Sequence, residues 1–436
     1  MRSGGEPVTD DLLAWRRRRL GRSLSLAYGE PLTIVRGAGA HLYDANGRAY
    51  LDLVNNVAHV GHAHPRVVEA AARQKALLET NTRYLHPTIL EYADRLAATL
   101  PPQLEVIHLV NSGSEANELA LRMARAGTGR RDVAVVEGGY HGNTTGLVDV
   151  SPYKFDGPGG SGRPPTTHVA PLPDPYRGRH RGPDADTSAA YLADLGRVLD
   201  DAAADGHPIG AFLVESTPGS AGQIIPPPGY LAGAFDRARE AGALAVADEI
   251  QVGLGRVGSH WWAFQVDEAV PDIVTMGKPL GNGHPLGAVA TTRSIADAFA
   301  NGMEYFNTFG GNAVSAAVGL AVLDVIEEEG LRQRALESGA RFLDGLHALA
   351  LHHAAIGEVR GLGLFIGIVL VDDRATRGPA TALAAAVVEG AKSRGILLST
   401  DGPDHDVLKI KPPLVIEEAD IDRTIEVLDG LLSELG

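Results

Sequence analysis

Two periodicities alternate along most of the chain. Short continuous apolar runs recur at 107–110, 133–136, 211–214, 243–247, 273–276 and 288–291. Runs of that length, without polar alternation, read as strands buried on both faces. Between some of them lie stretches with apolar residues three and four apart, which read as helices. These are 65–78, opened by Pro65; 114–125; and 230–241, closed by Gly242. Short buried strands joined by helical crossovers imply an α/β protein with a mainly parallel sheet. Upstream, 32–36 and 41–47 read as small strands with a turn at Asn46-Gly47. Downstream, a helical stretch at about 312–353 leads to apolar runs at 361–370 and 407–414. These are the expected strands of a smaller α+β domain, with which the N-terminal strands are expected to pack. Residues 156–188 are rich in Gly, Pro, Arg and Asp and read as an excursion over the surface. The expected organisation is an N-terminal segment packing with the small domain (1–54), a large domain (55–311), and a linking helix with a C-terminal small domain (312–436).

Composition narrows the chemistry. The net charge of −15 argues against a nucleic-acid partner or an anionic membrane surface, without forbidding a local cationic pocket. There are no cysteines, so disulfides, thiolate metal sites and cysteine nucleophiles are excluded. Residues 1–30 carry Arg16 to Arg19 in a row, but no apolar core of signal-peptide type follows and no span is long enough for a membrane. A cytoplasmic protein is expected. The arginine run reads as a solvated helix face or part of a subunit contact.

The candidate chemistry sits at strand ends. In an open α/β sheet, ligands gather at the carboxyl ends of the strands. Glu215, Asp248 and Lys278 each follow an apolar strand run, and Asn111-Ser-Gly-Ser-Glu-Ala-Asn117 follows another and opens a helix. The chain has only six lysines, so a lysine among the glycines at 277–283 is conspicuous. An amine and a carboxylate placed this way suit a pyridoxal phosphate site, where the amine forms a Schiff base and the carboxylate pairs with the pyridinium nitrogen. Gly113 and Ser114 lie where free N–H groups and the helix dipole favour an anion. An ordinary Ser N-cap explains the same residues. Tyr140-His141-Gly142 offers a ring that stacks on a pyridine or simply packs in the core. Gly253-Leu-Gly-Arg-Val-Gly258 fits G-x-G-x-x-G, but no clear helix follows, as a dinucleotide fold requires. His59, His62 and His64 lack acidic neighbours and precede Pro65, so a turn with capping histidines is expected, and no metal.

Taken together, Ser112-Gly-Ser-Glu-Ala-Asn117, Tyr140-His-Gly142, Asp248-Glu-Ile-Gln-Val-Gly-Leu-Gly-Arg256, Gly277-Lys-Pro279 and Asn307-Thr-Phe-Gly-Gly-Asn312 resemble the class III aminotransferases over nearly the whole chain. That resemblance implies the aspartate-aminotransferase-like fold and pyridoxal 5'-phosphate as cofactor. It implies Lys278 as the Schiff-base lysine, Asp248 against the ring nitrogen, Gln251 at the ring hydroxyl and Tyr140 on the ring. His141 and Glu215 join the cofactor contacts, and Gly113 and Ser114 hold the phosphate. Thr308 would reach the same phosphate from a second subunit, so a homodimer with composite sites is expected.

A narrower likeness lies in Asn55 to His62, Asn81 to His86, Ser151-Pro-Tyr-Lys-Phe155, Gly302 to Thr308 and Val407-Leu-Lys-Ile-Lys-Pro-Pro413, which resemble the ethanolamine-phosphate phospho-lyases. Those enzymes convert O-phosphoethanolamine and water to acetaldehyde, ammonia and phosphate; others of the subgroup act on phosphorylated hydroxylysine. Relatives that transaminate α-amino acids often place an arginine where this chain has Lys409, and some a gating glutamate where it has Ser220. A bidentate carboxylate clamp is then missing. Asn55 stands where relatives put a bulkier residue, and offers donors to a phosphate oxygen. Lys409 and Arg83 are candidate phosphate cations, or equally ion-pair partners. The expected function is a phospho-lyase, with an ω- or α-amino acid aminotransferase using pyruvate or glyoxylate, or a 5-phosphohydroxylysine lyase, as alternatives. A cofactor-binding protein without turnover is disfavoured by the intact Lys278, Asp248 and Gln251.

Overall fold

The computed structural model describes residues 9–436. Residues 1–8 of the expected N-terminal segment lie outside it. The central sheet has seven strands in the order Val106–Val110, Gly287–Thr291, Ile273–Met276, Leu244–Asp248, Ile209–Glu215, Asp132–Val136 and Thr167–Ala170. Only Gly287–Thr291 runs antiparallel to its neighbours. The five residues of Asp132–Val136 and all seven of Ile209–Glu215 are buried, as continuous apolar runs require. Helix Gly113–Thr128 packs on one face, burying Ala116, Leu119, Ala120 and Met123 over Val133, Val135, Leu213 and Val246. Helix Tyr230–Glu240 packs on the other, its Phe235 and Ala238 joining the larger core with Phe212 and Val214. The fold class expected from the sequence is the one observed.

Two smaller four-stranded sheets flank this core. One joins Ile34–Ala38, His41–Asp44 and Ala49–Asp52 to the C-terminal strand Ile396–Leu397, so distant parts of the chain share it. The other is antiparallel, from Ile356–Leu362, Phe365–Leu370, Val407–Ile410 and Ser399–Asp401.

Four local expectations are corrected. The surface excursion at 156–188 contains the edge strand Thr167–Ala170, and its end opens the helix Ala185–Ala204. The helical stretch 312–353 is two helices, Ala313–Glu328 and Leu331–His352, broken where Gly330 adopts φ 63°. The apolar run 361–370 is not one strand but a hairpin turning at Gly363, where a Cβ would stand 2.5 Å from the Arg256 carbonyl oxygen. The capping histidines are not caps: His64 makes no side-chain cap bond, His62 meets Asp52 at 2.8 Å, and His59 meets the Leu254 carbonyl at 2.6 Å. The Gly253–Gly258 segment forms turns followed by a short 3₁₀ helix, Ala263–Asp267, so no dinucleotide-binding helix opens there. Among the described residues, no helix is long and apolar enough to cross a membrane.

Candidate active site

Strand register sets the site. Glu215 and Asp248 are direct partners at the ends of adjacent parallel strands, and Asp248 pairs with Thr275 on the next. Lys278 follows that third strand after Gly277. Three ionisable groups thus stand side by side at the carboxyl edge. Helix Gly113–Thr128 begins at the same edge, close enough that a Cβ on Gly277 would lie 3.2 Å from the Gly113 nitrogen. A cavity of about 190 Å³ is lined by Gly113, Ser114, Tyr140, His141, Glu215, Asp248, Gln251 and Lys278, together with Ser112, Gly142 and Ile250. Eight of the residues expected at the site from the sequence therefore meet in one enclosure.

Asp248 is fixed on three sides. Its Oδ2 accepts from Asn117 Nδ2 at 2.8 Å and faces His141 Nδ1 at 2.9 Å, while Oδ1 accepts from the Ile250 N–H at 3.1 Å. A carboxylate only accepts, so His141 carries its proton on Nδ1; its buried Nε2 has no partner. Glu215 Oε2 accepts from the Gly219 N–H at 3.0 Å, and burial together with the nearby Asp248 charge pushes its pKa up. The Lys278 amine makes no hydrogen bond or ion pair among the described residues. Burial lowers its pKa, opposed by the charges of Asp248 and Glu215. The residue sits at φ 31°, a conformation that costs on the order of 1–3 kcal/mol for a side chain other than glycine.

The helix N-terminus opens toward the cavity because Ser112, not Ser114, is the cap. The Ser112 hydroxyl accepts from the Glu115 N–H at 3.1 Å. That leaves the Gly113 and Ser114 N–H groups without intrahelical acceptors. The Ser114 hydroxyl meets Asn143 at 3.0 Å. Gly142, at φ 146°, passes so close that a Cβ would lie 2.7 Å from Ser114 Oγ. Tyr140 stands edge-on to Tyr153, centroids 5.9 Å apart, under the Lys154 ammonium at 5.4 Å.

Three expected residues lie outside this cavity, and a fourth, Thr308, is expected there only from a second subunit. Lys409 is paired with Asp401 at 3.0 Å. Arg83 is paired with Glu304 at 3.0 Å and lies 4.0 Å over the Phe306 ring. Asn55 folds back in a turn on Asp52, and its neighbour Asn56 is the one that reaches Gln251, at 3.4 Å. Thr308 is exposed, outside the cavity of its own chain. Two residues were not singled out in the sequence. Asn117 is an asparagine on the buried face of a helix, and that mismatch was its signal. Lys411 is 1 % exposed and donates to Gln251 Oε1 at 2.8 Å. It stands just past the strand Val407–Ile410, two residues beyond Lys409, and nothing in the sequence sets it apart from a solvated strand end.

The aminotransferase class-III family model matches residues 26–432. The alanine–glyoxylate aminotransferase 2-like protein of Drosophila melanogaster is 48 % identical over 96 % of this chain and 87 % of its own length. Ethanolamine-phosphate phospho-lyase homolog 1 of Caenorhabditis elegans is 40 % identical over 97 % of this chain and 93 % of its own. A solved phospholyase from Arthrobacter, in complex with phosphoethanolamine, is 40 % identical with a TM-score of 0.93, covering 98 % of this chain and all of that one. The chain belongs to the class III aminotransferases. These are pyridoxal phosphate enzymes, and the residues present fit that group. An amine free of hydrogen bonds faces an anchored carboxylate, and the Gly113–Gly142 cradle, which a Cβ would fill, leads to unsatisfied helix N–H donors. Pyridoxal 5'-phosphate is the cofactor.

Proposed function

We propose that this protein is a phospho-lyase converting O-phosphoethanolamine and water to acetaldehyde, ammonia and phosphate. The observation that carries the reading is charge. Among the described residues no arginine lines the cavity, and Lys409, where an α-carboxylate clamp would stand, is held by Asp401. A substrate without a carboxylate needs no such clamp. The Arthrobacter phospholyase bound to phosphoethanolamine, similar over its entire length, supports the same reading.

Pyridoxal phosphate, when bound, supplies an aldehyde that joins to amines and a ring that withdraws electrons from the adjoining carbon. Lys278 would hold the aldehyde in the resting enzyme. With substrate bound, the Lys278 Nζ, free of other partners among the described residues, would take a proton from the aminomethylene carbon. Asp248, oriented by Asn117 and His141, would hold the proton on the ring nitrogen. The Gly113 and Ser114 N–H groups would bind the cofactor phosphate, Tyr140 would cover the ring, and Gln251 would donate to the ring oxygen. Glu215 sits within reach of the same carboxylate edge as Asp248. Loss of phosphate from the neighbouring carbon would make the reaction an elimination; the released vinylamine tautomerises and takes up water to give acetaldehyde and ammonia.

Thr308 lies between Phe309, which is 70 % exposed, and Asn307, which borders one cavity with the bare Leu85 and Met303. A second copy of the chain docking there would bring its Thr308 to this cavity and complete a composite site. The Drosophila relative, the more similar of the two curated proteins, carries an aminotransferase name, which favours amino transfer as the second reading.

One assay separates the two. Holoenzyme is incubated with O-phosphoethanolamine, and phosphate and acetaldehyde are measured together. Equal amounts of both are expected. Amino transfer to pyruvate or glyoxylate with no phosphate released would establish the aminotransferase instead.

A further inference from the structure

Gln251 lines the cavity, yet its carbonyl oxygen faces away from it. That oxygen accepts from Lys411 Nζ at 2.8 Å and from Asn56 Nδ2 at 3.4 Å. Lys411 Nζ and the Asn56 NH₂ both donate to it, so turning the amide would set its NH₂ against two donors. The NH₂ is thereby directed to the other side, where it makes only one long contact, 3.5 Å to Ser220 Oγ. One of its hydrogens remains free for the cavity.

Lys411 is built to do this. Its own N–H bonds to the Leu53 carbonyl at 2.8 Å, and the next carbonyl, of Pro412, accepts from the buried Arg256 at 2.8 Å. Two prolines follow it, with φ fixed by their rings. Its ammonium lies over the Phe365 ring, 5.0 Å from the centroid. Among the described residues the only carboxylate it pairs with, Asp401 at 3.6 Å, is closer to Lys409 and also accepts from Gln223 at 2.7 Å. The shortest bond of the buried ammonium is thus to a neutral amide, an uneven match for a charge taken out of water.

We propose that Lys411 is a positioning residue of the cofactor site, holding the Gln251 carbonyl from behind so that the Gln251 NH₂ is presented to the bound pyridoxal phosphate. The proposal rests on the cofactor site and not on the choice of substrate, so it stands whether the enzyme proves a lyase or an aminotransferase. A lysine that merely packs the C-terminal sheet would affect melting temperature alone.

The test is a cycle of holoenzymes: wild type, Lys411→Met, Gln251→Met and the double variant. The readouts are the absorbance spectrum of the bound cofactor and its dissociation constant. Each single variant should weaken cofactor binding by about tenfold, as losing an outer partner of a ligand contact commonly does, and shift the absorbance maximum. The double variant should match Gln251→Met, since a residue acting through Gln251 has nothing left to position. An unchanged spectrum and affinity in Lys411→Met would overturn the proposal, and so would losses that add in the double variant. If Lys411→Met fails to fold, comparing Gln251→Met with the double variant still decides. Both polar partners are then replaced by apolar ones, and equality supports the proposal while a further loss overturns it.

Discussion

At the scale of single residues, Lys278 concentrates the expected chemistry. Among the described residues its amine has no competing partner, and burial lowers its pKa, which favours the unprotonated form that attacks an aldehyde. Lys278→Ala should abolish turnover, falling at least about a thousandfold as for a residue that both links and moves a proton. The variant should still take up cofactor, which dialysis would remove and borohydride would no longer fix to the chain. Undiminished turnover would take the lysine out of the reaction. Lys411 gives a second prediction, in pH. Burial pushes its pKa down to about 7 from the ordinary 10.5. Between those values the unfolded chain holds a proton that the folded chain has released, so stability rises with pH across that window. The cofactor-free protein should gain melting temperature from pH 7.5 toward 9.5, measured against Lys411→Met, in which this slope is lost. Lys278 and Asp248 were legible because a strand end is where such groups are useful. Lys411 was not, because a lysine two residues from another at the end of a short strand looks like a solvated edge until the fold buries it.

At the scale of elements, the buried central strands were legible from their unbroken apolar runs. The edge strand Thr167–Ala170 was not. It has four residues, lies among glycines and prolines, and has a neighbour on one side only, so neither length nor pattern marks it. Helix Ala185–Ala204 is dominated by Ala and Asp, which blurs the apolar stripe. The turn Tyr140–Gly142 was visible as a motif, but the demand on Gly142 was visible only in three dimensions. At φ 146° it lies where side chains are strained, and a Cβ would also stand 2.4 Å from Leu147 Cδ1 and 2.7 Å from Ser114 Oγ. Gly142→Ala must therefore shift either the turn or the helix N-terminus. It should weaken cofactor binding by about tenfold or more while lowering the melting temperature by a few degrees. Titration of apoprotein with cofactor, followed by absorbance, checks this; wild-type affinity would show that the turn gives way without disturbing the helix end.

At the scale of the whole molecule, charge and apolar surface are distributed for different tasks. Acidic groups dominate the chain, while three of the bare apolar residues gather around one cavity: Leu85 is 96 % exposed, Met303 72 % and Tyr84 68 %. That cavity, of about 700 Å³, is bordered by Tyr305 and Asn307 as well. Bare apolar residues gathered in one patch suit a contact surface, and the exposed Thr308 is the chain neighbour of Asn307 on its border. In the proposed dimer this patch is covered, and each cofactor phosphate is held partly by the other chain. The two ideas can be separated from simple unfolding. Leu85→Asp puts a charge into the contact and adds no strain within the subunit, since the side chain touches almost nothing there. The variant should sediment at half the wild-type mass, keep its melting transition in the cofactor-free state within a few degrees, and lose most of its cofactor affinity and turnover. Raising the protein concentration should restore both in parallel with dimer formation. A Leu85→Asp protein that sediments as a monomer yet binds cofactor and turns over like wild type would show that one chain suffices, and Thr308 would then have no part in the site.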